Sequence, residues 1–473
     1  MWHDEYMVSL ENRDYLDHIS QLILMLIRQG SEKQIYLFFH RYHAADIAEA
    51  MSLIPSEDKV SFLKKINIEY AAGLIEELEQ ETQQELFQQF KTAQAAKYIE
   101  EMDKDDAVDL LENLLQVDEI KASEIIRALS PDEAQEVQQL LAHEEGTAGA
   151  IMSSEYVHIP ENLSVAEALA EFRRQNPPQN ESSFYIYISS DANQLIGYTS
   201  IRDLLLADAT ETVHNIRYEN PISVSITTDQ EDVAKIIQKY DLSAVPVTNE
   251  HGSIVGIVTV DDIVDIVVDE ATEDLYKLSG TGDIDELRLL RGNVFFAIQS
   301  RLPWLFITIL GGMLASYIIT DFSSIFQSEY LSLAVVLSFV PLLMGLAGNI
   351  GNQSSTIIVR GLSTGVLDIS GTILVVLREV AIGASIGTVL AVSVYFALIF
   401  LGKATILAGL VALSIVLNMM VATFIGATLP LIFKRLGVDP AVASAPFISS
   451  TLDIIGQLIY FSLTVSILAQ WVA

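Results

Sequence analysis

The 473 residues predict a multi-domain chain: an all-α superhelical domain at 1–143, a pair of α/β repeats at 144–273, a connecting helix at 274–300 and a membrane domain of five helices at 301–473. Three observations carry this fold class. The first is a division of charge. The chain holds 27 Lys and Arg against 62 Asp and Glu, a net charge of -35, yet 51% of it is hydrophobic and its mean hydropathy is +0.36. In residues 301–473 six basic residues (Arg301, Arg360, Arg378, Lys403, Lys434, Arg435) balance six acidic ones (Asp321, Glu329, Asp368, Glu379, Asp439, Asp453), so residues 1–300 carry all of the -35. An acidic soluble part is joined to an apolar part sparse in charge, which excludes a single soluble globule. The second observation is a tandem helical repeat, and the third is a duplicated α/β unit.

Residues 20–142 are rich in Leu, Ala, Glu and Gln at helical apolar spacing, with little Gly or Pro. Ala44-ADIAEAM, Ala71-AGLIEEL and Ala95-AKYIEEM open units 27 and 24 residues apart, and Glu124-IIRALSPDEAQEVQQLL echoes Asp46-IAEAMSLIPSEDKVSFL. Short helices in tandem bury their faces on one another and form a superhelical stack. Most of their acidic residues read as solvated surface. His40 and His43 are three apart but have no second pair to complete a metal site.

Ala142-HEEGTAGAIM reads as a hinge, and the duplication follows it. Val165-AEALAEF precedes Gly197-YTSIRDLL by 32 residues, and Val233-AKIIQKY precedes Gly256-IVTVDDIV by 23; the first copy is lengthened by Asn176-PPQN. Each copy reads helix, apolar strand (184–189, then 244–248), turn, strand, helix. G-x-x-[ST]-x-x-D occurs in both, at Gly197/Ser200/Asp203 and Gly256/Thr259/Asp262. This resembles the CBS-domain signature, whose hydroxyl and Asp commonly hold an adenine nucleotide's ribose. The second copy ends in an acidic run, Asp261, Asp262, Asp265, Asp269, Glu270, Glu273 and Asp274, with no Lys or Arg between Glu250 and Lys277. Like charges at helical spacing destabilise a helix unless neutralised, so the run reads as a divalent-cation site rather than a merely solvated face.

The stretches 302–320, 330–359, 380–402 and 404–433 contain no Asp, Glu, Lys or Arg, and 440–473 contains one. About 20 apolar residues cross a bilayer, which gives five spans. With residues 1–300 in the cytoplasm, Arg301, Arg360, Arg378, Lys434 and Arg435 fall inside, Lys403 falls outside, and Ala473 ends outside. Residues 1–10 include acids and no basic stretch, so a cleaved signal peptide is not expected. In the second span Gly345, Gly348 and Gly351 form a strip for close helix approach, while Asn349, Asn352 and Gln353 need partners or water. In the fifth, Ser449, Asp453, Gly456, Gln457 and Tyr460 share one helical face. An intramembrane carboxylate such as Asp453 marks a functional site. Pro446 is expected to free the carbonyl of Val442 for a ligand. Carboxylate, hydroxyl and carbonyl oxygens suit hard cations such as magnesium or calcium.

Several classes drop out. Nucleic acid requires clustered Lys and Arg, which this acidic chain lacks. Without cysteine there is no disulfide, thiolate metal site or cysteine nucleophile. No Walker A sequence, Ser/His/Asp arrangement, or intramembrane His or Lys is present to support an enzyme.

Together, the acidic helical repeats, the CBS-like pair and the spans containing GNIGNQS and DPAVASAPFISSTLD resemble the MgtE family of bacterial magnesium channels over nearly the whole chain. The resemblance implies a homodimer in the lipid of a bacterial cell membrane. The second and fifth spans would line a central pore, and a plug helix, about 274–300, would close it when cytosolic magnesium is high. It implies Asp453 as the pore carboxylate, with the Ser449 carbonyl and Asn352 beside it. It implies a magnesium sensor made of Asp105, Asp109, a carbonyl near Ala150, Glu231, Asp241, Asp262, Asp265, Glu270, Glu273, Asp274 and Asp439. Tyr185, Arg202 and Asp203 match an ATP pocket. One departure stands out: an acidic ligand of the second helical repeat falls on Gly73, leaving that site absent or served by Glu76 or Glu77. The competing reading is a cobalt, manganese or proton-coupled transporter regulated by adenine nucleotide; proton coupling would require Asp453 to titrate during transport.

Overall fold

The alanines that open the amino-terminal repeats explain how the repeats stack. The structure, a computed structural model, describes residues 2–175, 185–281, 294–323, 333–367 and 372–472. Beginning with α1 (Trp2–Gln29), the helices α3 (Ala44–Ser52), α5 (Ile68–Glu76), α7 (Thr92–Glu101) and α9 (Glu119–Ala128) pack successively along one row. A second row is α4 (Ser56–Leu63), α6 (Gln80–Gln89) and α8 (Lys104–Val117). Ile47, Ala71, Ala95 and Ala122 are each fully buried in the first row, because a small or branched side chain there lets neighbouring helices meet closely. Phe62, Phe87 and Phe90 fill the space between the rows. The two histidines serve the backbone: His43 caps α3 by accepting from the Ala45 amide, and His40 Nδ1 lies 3.1 Å from the Tyr36 carbonyl.

The duplication is visible in the sheet register. In the first copy β1 (His158–Pro160) runs parallel to β2 (Tyr185–Ser189), which pairs antiparallel with β3 (Leu195–Ser200) and then β4 (Tyr218–Glu219). The second repeats it with β5 (Val224–Ser225), β6 (Ala244–Thr248) and β7 (Ile254–Thr259). The motif glycines take equivalent places, Ile188 opposite Gly197 and Val247 opposite Gly256, each followed by a register shift. Both are glycine because a chain crosses them: a Cβ would stand 2.7 Å from the Tyr218 carbonyl oxygen at Gly197 and 2.9 Å from that of Ser153 at Gly256. Phe184, expected to begin the first strand, lies outside the described residues.

The chain divides into two compact units, 1–264 and 265–473. Of the connecting helix expected at 274–300, residues 282–293 lie outside the described residues; 274–279 are the last turns of α15 (Val260–Ser279), and 294–300 open the first span. Five described helices are long and apolar enough to cross a membrane: Val294–Phe322, Ala334–Ser363, Thr372–Phe400, Thr405–Arg435 and Ala445–Ile467. The fourth is central, packed by the second, third and fifth, while the first lies along the fifth.

Two expectations change. The third span starts at Thr372 rather than at residue 380, because Glu379 is not a charge at a helix end but a buried side chain. The fifth starts at Ala445, so Pro446 sits in its first turn, where no carbonyl is freed. Val442 belongs to a 3-10 turn, Pro440–Val442, and accepts from the Ser444 amide at 2.7 Å.

Candidate functional site

In the membrane domain the polar face of the fifth span is turned into the bundle. Asn352 Nδ2 donates to Ser449 Oγ at 3.3 Å, and the Tyr460 hydroxyl donates to the Val336 carbonyl at 3.0 Å. Gly348 packs beside the same serine: a Cβ there would stand 3.6 Å from Ser449 Oγ, in ordinary contact. Gly456 faces Met344 of the second span and Asn418 of the fourth. Asn352 Oδ1, both amide atoms of Asn418 and Gln457 Oε1 are buried with no hydrogen-bond partner. Asp453 is half-buried, and no described side chain pairs with its carboxylate. On the second span Gly345, Asn349 and Gln353, spaced by four, are exposed. Amides on the outside of a span need water or another chain, because lipid offers them no partner. Asn352 and Ser449 thus meet where the second and fifth spans cross, and Asp453 lies one turn after Ser449 on the fifth.

Within unit 1–264 a second concentration of carboxylates lies between the helical repeats and the α/β pair. It gathers Glu76 from α5, Asp103, Asp105, Asp106 and Asp109 at or in α8, Glu155 and Asp262. Burial and then the charge of Asp262 hold Asp105 well above the ordinary carboxylate range, and its Oδ1 has no hydrogen-bond partner. Burial and then neighbouring acids push Asp106 up to about 8 and Asp109 to about 7, although both remain open to solvent at the rim. Glu76 is pushed to about 7 by burial, opposed by the hydrogen bond from the Asp103 amide at 2.9 Å. Asp262 is pushed to about 6 by burial, opposed by the hydroxyl of Thr259. The nearby ammonium of Lys104 is bound to Glu133 at 2.7 Å and does not pair with them. Among the described residues no three acidic or imidazole side chains converge on one point that could hold an ion.

Of the two glutamates, Glu76 is the one beside Gly73. Its Oε2 lies 3.7 Å from where a Gly73 side chain would begin, whereas Glu77 caps the carboxyl end of α5 and is exposed. Sequence reasoning missed Asp103, Asp106 and Glu155, which packing between the helical repeats and the α/β pair brings into the group. Several implied sensor residues stand apart from this group. Glu231 and Asp232 share Lys235 within α14 (Gln230–Tyr240), Asp241 ends that helix in a left-handed conformation, φ +51°, and Ala150 is buried in the turn after Thr147. Asp265, Glu270, Glu273 and Asp274 follow Asp262 along α15. There Lys277, unremarked in the sequence, bridges Glu273 and Asp439, donating to Asp439 Oδ2 at 2.8 Å. Gly280, φ +75°, lets the chain turn against the ring of Pro446.

The α/β pair also holds a cleft lined by Tyr185, Tyr187, Tyr198, Glu219, Asn220, Leu242 and Pro246. Asp203 lies beside it rather than in its lining: it accepts from Ser200 Oγ at 2.7 Å and from the Tyr218 hydroxyl at 3.3 Å, and Tyr218 stacks on Tyr198. Arg202 is exposed one residue earlier. The equivalent pair of the second copy, Thr259 and Asp262, faces the carboxylates of α8 instead.

Comparison with known proteins agrees with this division. Residues 340–463 match the MgtE family, described as divalent cation transporters, residues 42–146 the MgtE intracellular N domain, and 148–210 and 213–269 the CBS domain. A curated magnesium transporter MgtE of Thermus thermophilus is 33% identical over 92% of this chain and 95% of its own length. The chain belongs to the MgtE family. An MgtE of Bacillus subtilis is 31% identical over 96% of the chain and 98% of its own. A crystal structure of the soluble part of a magnesium transporter aligns with a TM-score of 0.51 and 32% identity, covering 54% of this chain and 99% of that one. The matched transporter region runs from within the second span into the fifth, so it encloses Asn352, Ser449 and Asp453.

Proposed function

We infer that this protein moves magnesium ions across a cell membrane, down their electrochemical gradient, through a passage centred on Asp453 and closed by magnesium bound to its own cytoplasmic carboxylates. The observation that carries the reading is Asp453, which no described side chain pairs, one helical turn from the Ser449 that Asn352 binds, in a chain similar to curated magnesium transporters. The exposed Gly345, Asn349 and Gln353 of the second span suit a two-fold homodimer whose second copy completes the lining. Two Asp453 carboxylates facing one axis attract a divalent ion through its water shell, since magnesium sheds water reluctantly.

The regulatory half works by electrostatics. Without magnesium, Glu76, Asp103, Asp105, Asp106, Asp109, Glu155 and Asp262 repel across the contact between the repeats and the α/β pair. Magnesium bridging pairs of them, retaining much of its water, favours the packed arrangement, and the equilibrium moves by the ion's preference for that state. Asp265, Glu270, Glu273, Asp274 and Asp439 extend the response along α15, and Glu231, Asp241 and the Ala150 carbonyl serve as outlying ligands. The tyrosine-lined cleft takes an adenine nucleotide, with Tyr185 against the base and Asp203 and Arg202 at the ribose and phosphates; ATP there tunes the magnesium response. Residues 1–264 are cytoplasmic and the carboxyl end lies outside.

Magnesium entry into protein-containing vesicles tests the core of this reading. Asp453→Ala is expected to abolish it, and an unchanged rate overturns the passage assignment.

A further inference from the structure

The second span carries Asn352, Ser354 and Ser355, and each is bound on a different side. Asn352 donates to Ser449 of the fifth span at 3.3 Å. Ser354 donates to Glu379 Oε2 of the third at 2.7 Å, and Ser355 donates to the Ala443 carbonyl at 3.4 Å. Ser354 and Glu379 are almost fully enclosed, at 2% and 7% exposure. Among the described residues no basic side chain pairs with Glu379. A carboxyl group kept inside a membrane bundle is costly unless it has a task.

The rest of the third span shows how Glu379 reaches Ser354. Gly383, Gly387 and Ala391 follow it at four-residue intervals as the buried stripe of that helix. A Cβ at Gly387 would already stand 3.0 Å from Met419, and one at Gly383 would stand 2.7 Å from the Met419 carbonyl. The third span is therefore seated tightly on the fourth, which makes Glu379 a fixed post rather than a swinging side chain. Because successive helical residues turn by about 100°, Ser354 stands about 200° around the helix from Asn352. A bond holding Ser354 to that post turns Asn352 the other way, toward Ser449 of the fifth span.

We propose that Glu379 is a positioning residue for ion passage: through Ser354 it fixes the rotation of the second span that presents Asn352 to the pathway. This rests on the passage assigned above to Asp453 and Asn352. It requires an acceptor at residue 379 and not a charge, so an amide oxygen in the same place suffices.

The test uses the full chain in liposomes with a magnesium-sensitive dye inside, comparing Ser354→Ala, Glu379→Ala, Glu379→Gln and the double alanine variant with Asn352→Ala and Asp453→Ala. Ser354→Ala and Glu379→Ala are each expected to slow magnesium entry about tenfold, the scale of losing a partner that orients a metal-contacting group. Both should shift the ratio of magnesium to cobalt entry in the direction that Asn352→Ala shifts it. Glu379→Gln should restore the wild-type rate and ratio, and the double variant should be no slower than Glu379→Ala, since both remove one bond. Wild-type behaviour of both single alanine variants overturns the proposal, as does Glu379→Gln failing like Glu379→Ala, or a double variant slowed by the product of the two. Ser354→Ala leaves the carboxyl in place, so it decides the matter if Glu379→Ala fails to fold. Asp453→Ala at full rate overturns the passage itself, a result separable from every outcome at residues 354 and 379.

Discussion

Lys277 shows what a single side chain can contribute to a cation-sensing surface. Its ammonium sits between Glu273 and Asp439, two residues that a magnesium ion would otherwise share. If magnesium bridges these two carboxylates, as proposed above, the lysine competes with it as a tethered cation. Lys277→Gln should therefore lower the magnesium concentration that half-closes the pathway, roughly two- to fivefold given the modest strength of partly exposed ion pairs; a higher required concentration would make the lysine a latch instead. Such a role was not legible in the sequence, because nothing local to Lys277 places it near Asp439, 162 residues away. Asp453 was legible for the opposite reason: one charge in a long apolar run announces itself. Glu379 was concealed by its position beside Arg378, where two charges together mimic the end of a span. The choice between Glu76 and Glu77 depended on which one the end of α5 turns inward. If Glu76 fills the site vacated by Gly73, Glu76→Gln keeps the bond to the Asp103 amide and loses the charge. The expected result is a folded protein whose protection from protease depends less on magnesium, because one repelling carboxylate and one cation ligand are lost together.

At the level of helices and strands, periodicity and punctuation made most of the architecture readable. The alanine-led repeats became the buried row of α3, α5 and α7, and the two G-x-x-[ST]-x-x-D motifs became matched strand-to-helix turns. Those motifs are also ordinary caps: Ser200 accepts from the Asp203 amide at 3.0 Å while donating to its carboxylate. Spacing alone therefore could not say that the first copy borders a cleft and the second an acidic contact; packing decides it. Helix crossings in the membrane were half readable. The glycine strip predicted for the second span is split by its surroundings, with Gly351 pressed between the fourth and fifth spans and Gly345 facing open space. Its partner at the crossing, Gly426 of the fourth span, lies directly against the Gly351 carbonyl, an obstacle of backbone that cannot swing aside. Gly426→Ala should thus destabilise the membrane domain by about 1–3 kcal/mol, the usual cost of overpacking. Gly409→Ala, in the same helix with nothing near its Cβ, should be neutral or slightly stabilising. Thermal unfolding in detergent checks the pair, and equal effects would show that the crossing is not tight.

For the whole molecule, the excess of negative charge makes stability, protons and magnesium interchangeable to a degree that can be measured. Glu76, Asp106, Asp109 and Asp262 titrate in the folded protein at about 7, 8, 7 and 6, against ordinary values near 4. Their folded values are raised, so between those limits the folded state binds more protons than the unfolded one, and stability falls as pH rises. The loss begins near pH 4, grows through pH 6 to 8, and is complete above about pH 8, once all four are ionised in both states. A divalent ion reverses it only where the carboxylates are ionised, because a proton and magnesium compete for the same oxygens. The contact between the repeats and the α/β pair should therefore resist protease at pH 5.5 with or without magnesium. At pH 8 it should open in chelator and be protected again by millimolar magnesium. Glu76→Gln and Asp106→Asn together should flatten this pH dependence while leaving a protease-resistant protein at pH 8. The same resistance at both pH values in chelator would mean that these carboxylates do not strain the contact, and magnesium would then need another point of leverage. The opposite slope, greater resistance at pH 8 than at 5.5 without magnesium, would mean that the acids are held by cations of the chain itself. That would remove the electrostatic basis for magnesium closure.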